Sequence, residues 1–129
     1  MDWTFTNDRP VWQQLTEQLT LRILKGEYPP GSRLPAVREV AAQAGVNPNT
    51  MQRAMMELER DGLVYSQRTS GRFVTEDETM IQQAKRSLAE RHIKTFLAAM
   101  GRLGFQREEM IALLRQEPGE ENKHVGTDL

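Results

Sequence analysis

Between Asn47 and Arg53 the chain crowds five side chains able to read or grip a nucleic acid: Asn47, Asn49, Thr50, Gln52 and Arg53. A carboxamide donates and accepts together, which suits the edge of adenine. A threonine methyl fits against thymine, and arginine bonds guanine or a phosphate. These residues alternate with Met51, Ala54, Met55 and Leu58, whose steps of three and four give a helix one buried face. Asn47 is a good N-cap and Pro48 suits the first helical position, so the helix opens there and closes near Asp61-Gly62. The free N–H groups of such a start can also hold a phosphate. Taken alone, the polar residues would read as a solvated face with Asn47 as its cap. Their neighbours in the chain favour the first reading.

Upstream, Val11, Trp12, Leu15, Leu19, Ile23 and Leu24 predict a helix from Pro10 to Lys25, with Pro10 at its first position and Gly26 just past its end. The segment Glu27-Tyr28-Pro29-Pro30-Gly31 is too rich in Pro and Gly to continue it. A second helix is expected from Pro35 to Gly45, with Val37, Val40, Ala41 and Ala44 inward. Gly45 allows the left-handed turn and Val46 plugs the gap between the two helices, as a helix-turn-helix requires. Downstream, the β-prone runs Leu63–Ser66 and Arg72–Thr75 flank the polar tip Gln67–Gly71, predicting a hairpin that serves as a wing. A long helix is then expected from about Asp77 to Gly101 and a short one from Arg107 to Gln116. The fold class is therefore mostly α with a small β-hairpin. A winged helix-turn-helix occupies residues 1–76, a two-helix dimerisation segment residues 77–117, and a polar tail, expected to be disordered, residues 118–129.

Within this frame further cations acquire candidate roles. Arg38 sits early in the second helix, opposite Val37 and Val40, where it can reach a phosphate or a guanine edge; the alternative is an ion pair with Glu39. Arg33 is a weaker candidate, equally readable as a surface turn residue. Arg68, Thr69, Gly71 and Arg72 surround the wing tip, where arginines can enter a minor groove or clamp the backbone; the alternative is a hairpin merely made soluble by charge. On the long helix, Ile81, Ala84, Leu88, His92, Phe96 and Met100 form a stripe, and Ile111 and Leu114 continue it on the short one. Two such helices cannot bury their own apolar faces, so a symmetry mate is expected to cover them. His92 reads as an interface histidine rather than a pH or metal sensor, since the other histidine, His124, lies in the tail. Trp3 and Phe5 are expected to dock an N-terminal arm, on the core or on a partner, with ligand stacking as the alternative. The seven methionines are scattered over helices and suit packing.

Other classes are excluded or disfavoured. No cysteine is present, so there is no disulfide framework, thiol nucleophile or Cys-based zinc site, which suits a reducing cytoplasm. The start MDWTFTNDRP is not a secretory signal, and no apolar run of about 18 residues exists to cross a membrane. The pairs Glu108-Glu109 and Glu57/Glu59 are expected on solvated faces or at a helix start. No Ser-His-Asp set, phosphate loop or metal cluster stands out, so neither an enzyme nor a cofactor is expected. Bulk charge does not help a nucleic-acid reading: 17 Lys and Arg against 18 Asp and Glu leave a net charge of −1. Local placement has to carry it.

From Pro10 to Val74 the chain resembles the DNA-binding domain of the GntR family of bacterial regulators. The resemblance is carried by PVWQQL from Pro10, PPGSRLPAVREVA from Pro29, GVNPNTMQRAMMELERDGLV from Gly45 and SGRFV from Ser70. It implies operator contacts at Arg38, Asn47, Asn49, Thr50, Gln52, Arg68 and Gly71. The chain departs from the pattern at Pro48, where many relatives have Arg. Ala36 replaces a capping Ser, and Thr69 replaces a wing glycine. About 55 residues follow Val74, room for two helices and a tail but not for a large effector domain. That, with the VNPNT helix start, is similar to the YtrA-like branch, which implies dimerisation through the C-terminal helices and repression of transporter operons. The expected partners are thus an inverted-repeat DNA duplex and a second copy of the chain, with no membrane and an effector unknown or absent. The competing readings are a winged helix used for protein contacts and a sensor with its ligand at the dimer interface.

Overall fold

In α1 (Val11–Leu24), α2 (Val37–Ala44) and α3 (Pro48–Arg60), the residues at helical spacing all turn to one common core. The computed structural model describes residues 2–119; the tail from 120 onward, expected to be disordered, and His124 lie outside the described residues. Leu15 and Leu19 of α1, Val40 of α2 and Met51, Ala54 and Leu58 of α3 are completely shielded from water. β1 (Val64–Gln67) and β2 (Gly71–Val74) follow as an antiparallel hairpin in the register Val64↔Val74 to Gln67↔Gly71, so that Val64 and Val74 both enter the core. After the hairpin come α4 (Glu78–Arg102) and α5 (Arg107–Gln116). Five helices and a two-stranded wing are what the sequence pattern predicts.

The boundaries shift slightly, each for a local reason. Pro10 is the N-cap of α1 rather than its first residue, because its ψ of 141° is extended. α2 starts at Val37, two residues later than expected, behind an extended Ala36 that has no side chain to cap it. Asn47 does cap α3: its side-chain oxygen accepts the Asn49 N–H at 2.7 Å, with Pro48 in the first turn. Gly45 closes α2 in the left-handed conformation, φ 72°. α5 opens on a capping box between Gln106 and Glu109, a more specific role than the dipole effect expected of an acidic residue at a helix start.

A third extended segment, absent from the pattern of the sequence, joins the hairpin. Ser32 to Leu34 runs along the outer edge of β2, with the Val74 N–H donating to Ser32 O at 2.9 Å and the Leu34 N–H to Arg72 O at 2.8 Å. Leu34 is buried beneath it. The loop from α1 to α2 thus braces the wing.

The N-terminal arm docks on its own chain. Gln14 and Gln18, one turn apart on α1, bind its main chain. The Gln18 amide donates to Thr4 O at 2.6 Å, and the Gln14 amide donates to Thr6 O at 2.9 Å and Arg9 O at 2.8 Å. Alternation then turns Trp3 and Phe5 onto the core, where both are half-buried. Trp3 roofs the Arg22 guanidinium, whose central carbon lies 3.6 Å from the ring centroid in a residue only 1% exposed.

By contacts the chain divides into a unit ending at Ala89 and a unit beginning at Glu90, so the division falls within α4. In the first unit, Ile81 joins the core and Ala84 packs against it, while the Met80 side chain closes over Gly62. These two stripe residues, expected to meet a second copy, are used within their own chain, and Leu88 is likewise only 5% exposed. In the second unit Met110 is the buried residue among those described. Gln14→Ala should strip Thr6 and Arg9 of their side-chain partner on α1 while Gln18 still holds Thr4, and should cost about 0.5–1.5 kcal/mol in urea unfolding, since the groups released lie near the surface. The Thr6 N–H, which donates to the Gln14 side-chain oxygen at 2.9 Å, should lose hydrogen-exchange protection in the same variant.

Candidate nucleic-acid interface

With its apolar row committed to the core, α3 turns Asn49, Gln52 and Arg53 to solvent, and Thr50 is half-buried beside them. Asn47 is exposed as well, but its carbonyl oxygen is spent on the cap, leaving the amide nitrogen as the group it can offer a base. Arg38 is exposed in the first turn of α2, and no carboxylate pairs with it among the described residues, so the ion pair with Glu39 does not form. The tight turn at Gly45 and Val46 joins the two helices, with Val46 packed on the core as the plug.

The wing supplies a second group of cations. Its tip closes with the Ser70 N–H donating to Gln67 O at 2.7 Å, leaving Arg68 and Thr69 exposed between them. Gly71 then adopts φ 103°, and a β-carbon there would come within 3.0 Å of the Arg33 side chain. Glycine is needed at this position both for its backbone and for the approach of Arg33. Between the wing and the start of α2 lies a cleft of about 290 Å³ lined by Arg33, Arg68 and Arg72 together with Ser66, Ala36 and Val37.

Arg72 is less free than its position beside the tip suggests. Its Nε donates to Glu59 at 2.7 Å, and its side chain is only 19% exposed, so it fastens the wing to α3 instead of standing free at the tip. Glu59 also accepts the Ser66 hydroxyl at 2.9 Å. Glu57, too, is not simply solvated; it is half-buried and binds Arg60 at 2.5 Å. The hydrogen bond from Arg72 is the main reason the Glu59 carboxyl is held below its ordinary range. It outweighs the partial burial that pushes the other way, and Ser66 and the Arg72 charge assist it. Periodicity offered no signal for this clamp, because it joins residues thirteen apart on different elements.

One other contact has no signal in the sequence pattern. Trp12, placed in the core stripe of α1, lies under the Arg53 guanidinium at 3.9 Å. Of the C-terminal stripe, His92 is exposed, Phe96 and Met100 are half-buried, and Ile111 and Leu114 are exposed at 40% and 58%. No described helix is long and apolar enough to cross a membrane, and no group of His, Cys, Asp or Glu among the described residues is placed to hold a metal.

A model of the bacterial regulatory proteins of the gntR family matches residues 12–74, the span from α1 to the end of the wing. An uncharacterised HTH-type transcriptional regulator of Bacillus subtilis (strain 168), YhcF, is 38% identical over 111 residues, covering 86% of this chain and 92% of that protein. The chain belongs to the GntR family. The same bacterium's HTH-type transcriptional repressor YtrA is 31% identical over 102 residues, 78% of each chain, which puts this regulator with the YtrA-like members. A GntR family transcriptional regulator from Listeria monocytogenes superposes with a TM-score of 0.77 at 34% identity, over 88% of this chain and 99% of that one. This GntR protein is therefore a DNA-binding transcriptional regulator and not an enzyme.

Because the folded-state value of Glu59 is the lower one, its clamp with Arg72 stabilises the folded regulator at neutral pH. That contribution is lost as the pH falls through and below the ordinary glutamate value of 4.5. In Glu59→Gln the wild-type advantage should be largest near neutrality and should vanish in acid. Urea unfolding at stepped pH checks this, and a difference that stays constant down to about pH 3, below the ordinary glutamate range, would remove the carboxylate from the role.

Proposed function

We propose that this GntR regulator represses transcription as a homodimer bound to an inverted-repeat operator, each copy laying α3 in a major groove and its wing against the flanking backbone. The observation that carries the reading is the division of α3 into a fully buried apolar face and an outward face of Asn49, Gln52 and Arg53, flanked by Arg38, with which no carboxylate among the described residues pairs. In this proposal Asn49, Thr50 and Gln52 face base edges, Asn47 offers its amide nitrogen, and Arg38 meets a guanine edge. Arg33, Arg53, Arg68, Thr69 and the backbone at Gly71 contact phosphates or the minor groove. Repression is supported by the likeness to YtrA, whose name describes a repressor. The proposed target is a transporter operon, as the resemblance of the sequence to the YtrA-like branch implies.

The homodimer is supported by the apolar side chains that remain uncovered. Ile93, Leu103, Ile111, Leu113 and Leu114 are 40–72% exposed, and all lie in the unit that begins at Glu90. A second copy gives them a cover, with His92, Phe96 and Met100 beside them. The proposed interface omits Ile81, Ala84 and Leu88, which are already shielded.

A duplex selected by the full chain from a random pool should show half-sites about one helical turn, roughly 10 bp, apart or a small increment more. Arg38→Ala should weaken its binding by about 1–3 kcal/mol and relax preference at one base position. Equal affinity for the selected duplex and a scrambled one across about 50–200 mM salt would sink the operator reading. Sedimentation should give twice the chain mass at micromolar protein, and Leu114→Glu should shift it towards the single chain. A wild-type protein that stays monomeric there would refute the dimer.

A further inference from the structure

The contact between Trp12 and Arg53 joins α1 to α3. Trp12 stands in the first turn of α1, half-buried, and Arg53 in the second turn of α3, exposed, with its guanidinium carbon 3.9 Å from the ring centroid. Arg53 is the first cation along α3; the next, Arg60, is bound by Glu57 at 2.5 Å. Among the described residues no carboxylate pairs with Arg53.

Stacking on an indole uses the flat face of a guanidinium and leaves its N–H edge available for an anion. It also fixes a side chain that would otherwise sample many rotamers, so less order is lost when the anion arrives. Asn49 lies four residues before Arg53, on the same face of α3, and Gln52 is adjacent in the chain. An anion held by Arg53 would therefore sit beside the residues proposed to meet base edges, and DNA places a phosphate at every step along a groove.

We propose that Trp12 is a positioning residue for DNA binding, its indole holding the Arg53 guanidinium at the junction of α1 and α3, where it grips a backbone phosphate next to Asn49 and Gln52. This rests on the operator reading above, and it makes α1 part of the binding machinery as well as of the core.

The test uses the full chain and the duplex selected by it, with Kd measured from about 50 to 200 mM salt. Arg53→Ala should lower the salt slope by about 0.9, so that its affinity falls about 3.5-fold less than wild type's over that range. Trp12→Leu, which keeps apolar bulk but no ring, should weaken binding in the wild-type background and add nothing in the Arg53→Ala background. Trp12→Phe, which keeps a ring face, should bind within twofold of wild type. Thermal unfolding verifies that each variant is folded. Arg53 is exposed, so its slope remains readable even if Trp12→Leu does not fold. An unchanged slope in Arg53→Ala overturns the phosphate contact. An equal loss from Trp12→Leu in both backgrounds overturns the positioning role, since Trp12 would then act through the fold alone. In both cases wild type still prefers the selected duplex and still depends on Arg38, whereas failure of the operator reading appears in wild type itself as no preference at all.

Discussion

Met51, Ala54, Met55 and Leu58 occupy one edge of α3 and are at most 1% exposed, facing Leu15 and Leu19 of α1 and Val40 and Ala41 of α2 in a single core. Burying a large side chain of this kind is worth about 1.5–3 kcal/mol. Turning α3 by one residue would bring Gln52 and Glu59, or Thr50, Arg53 and Glu57, into the core without partners, adding a penalty at least as large for each. The rotation of α3 about its own axis is therefore fixed by its apolar row. Its outward chemistry follows: Asn49, Gln52 and Arg53 face solvent because the alternative is too costly, and the Asn47 cap and Pro48 determine where that face begins.

The near-neutral net charge conceals a division of labour among the arginines. Arg9, Arg60 and Arg72 are held by Glu17, Glu57 and Glu59, and Arg22 is roofed by Trp3 with Glu27 3.8 Å away. These cations stabilise arm, helix and wing. Arg33, Arg38, Arg53 and Arg68 are exposed on the segment that braces the wing, on α2, on α3 and at the wing tip, the parts that a groove would meet. A sum over the whole chain mixes the two populations. Affinity for a polyanion depends on the second alone.

Much of this was legible in the sequence, and the illegible parts share a cause. The five helices, the hairpin and the inward faces follow from periods of 3.6 and 2, which are local properties of the chain. The outward set on α3 followed from the same pattern by subtraction. What escaped were contacts between distant elements. The strand-like Ser32–Leu34 edge depends on β2, and the Arg72–Glu59 clamp on the hairpin's register against α3. The stack of Arg53 on Trp12 depends on how α1 meets α3. In each case the residue type was noticed but its partner lies outside any window that a period can scan. Arg72 was consequently assigned to the wing tip, and Trp12 to packing alone.

The apolar stripe of α4 shows the same limit in a form that bears on assembly. A regular stripe from Ile81 to Met100 reads as one surface with one destination, yet the helix serves two units. Ile81 and Ala84 complete the core beneath the wing, whereas Ile93 and Leu103 stay 54% and 72% exposed. Isolated exposed leucines are ordinary on a protein surface. A unit whose described residues contain one buried apolar side chain, Met110, beside five large exposed ones is not ordinary. Two short helices with so little interior cannot offset the entropy of ordering them. Surface drawn from elsewhere has to supply the missing burial, and the repeated α4–α5 face of a second copy is the self-complementary source that the proposed homodimer invokes.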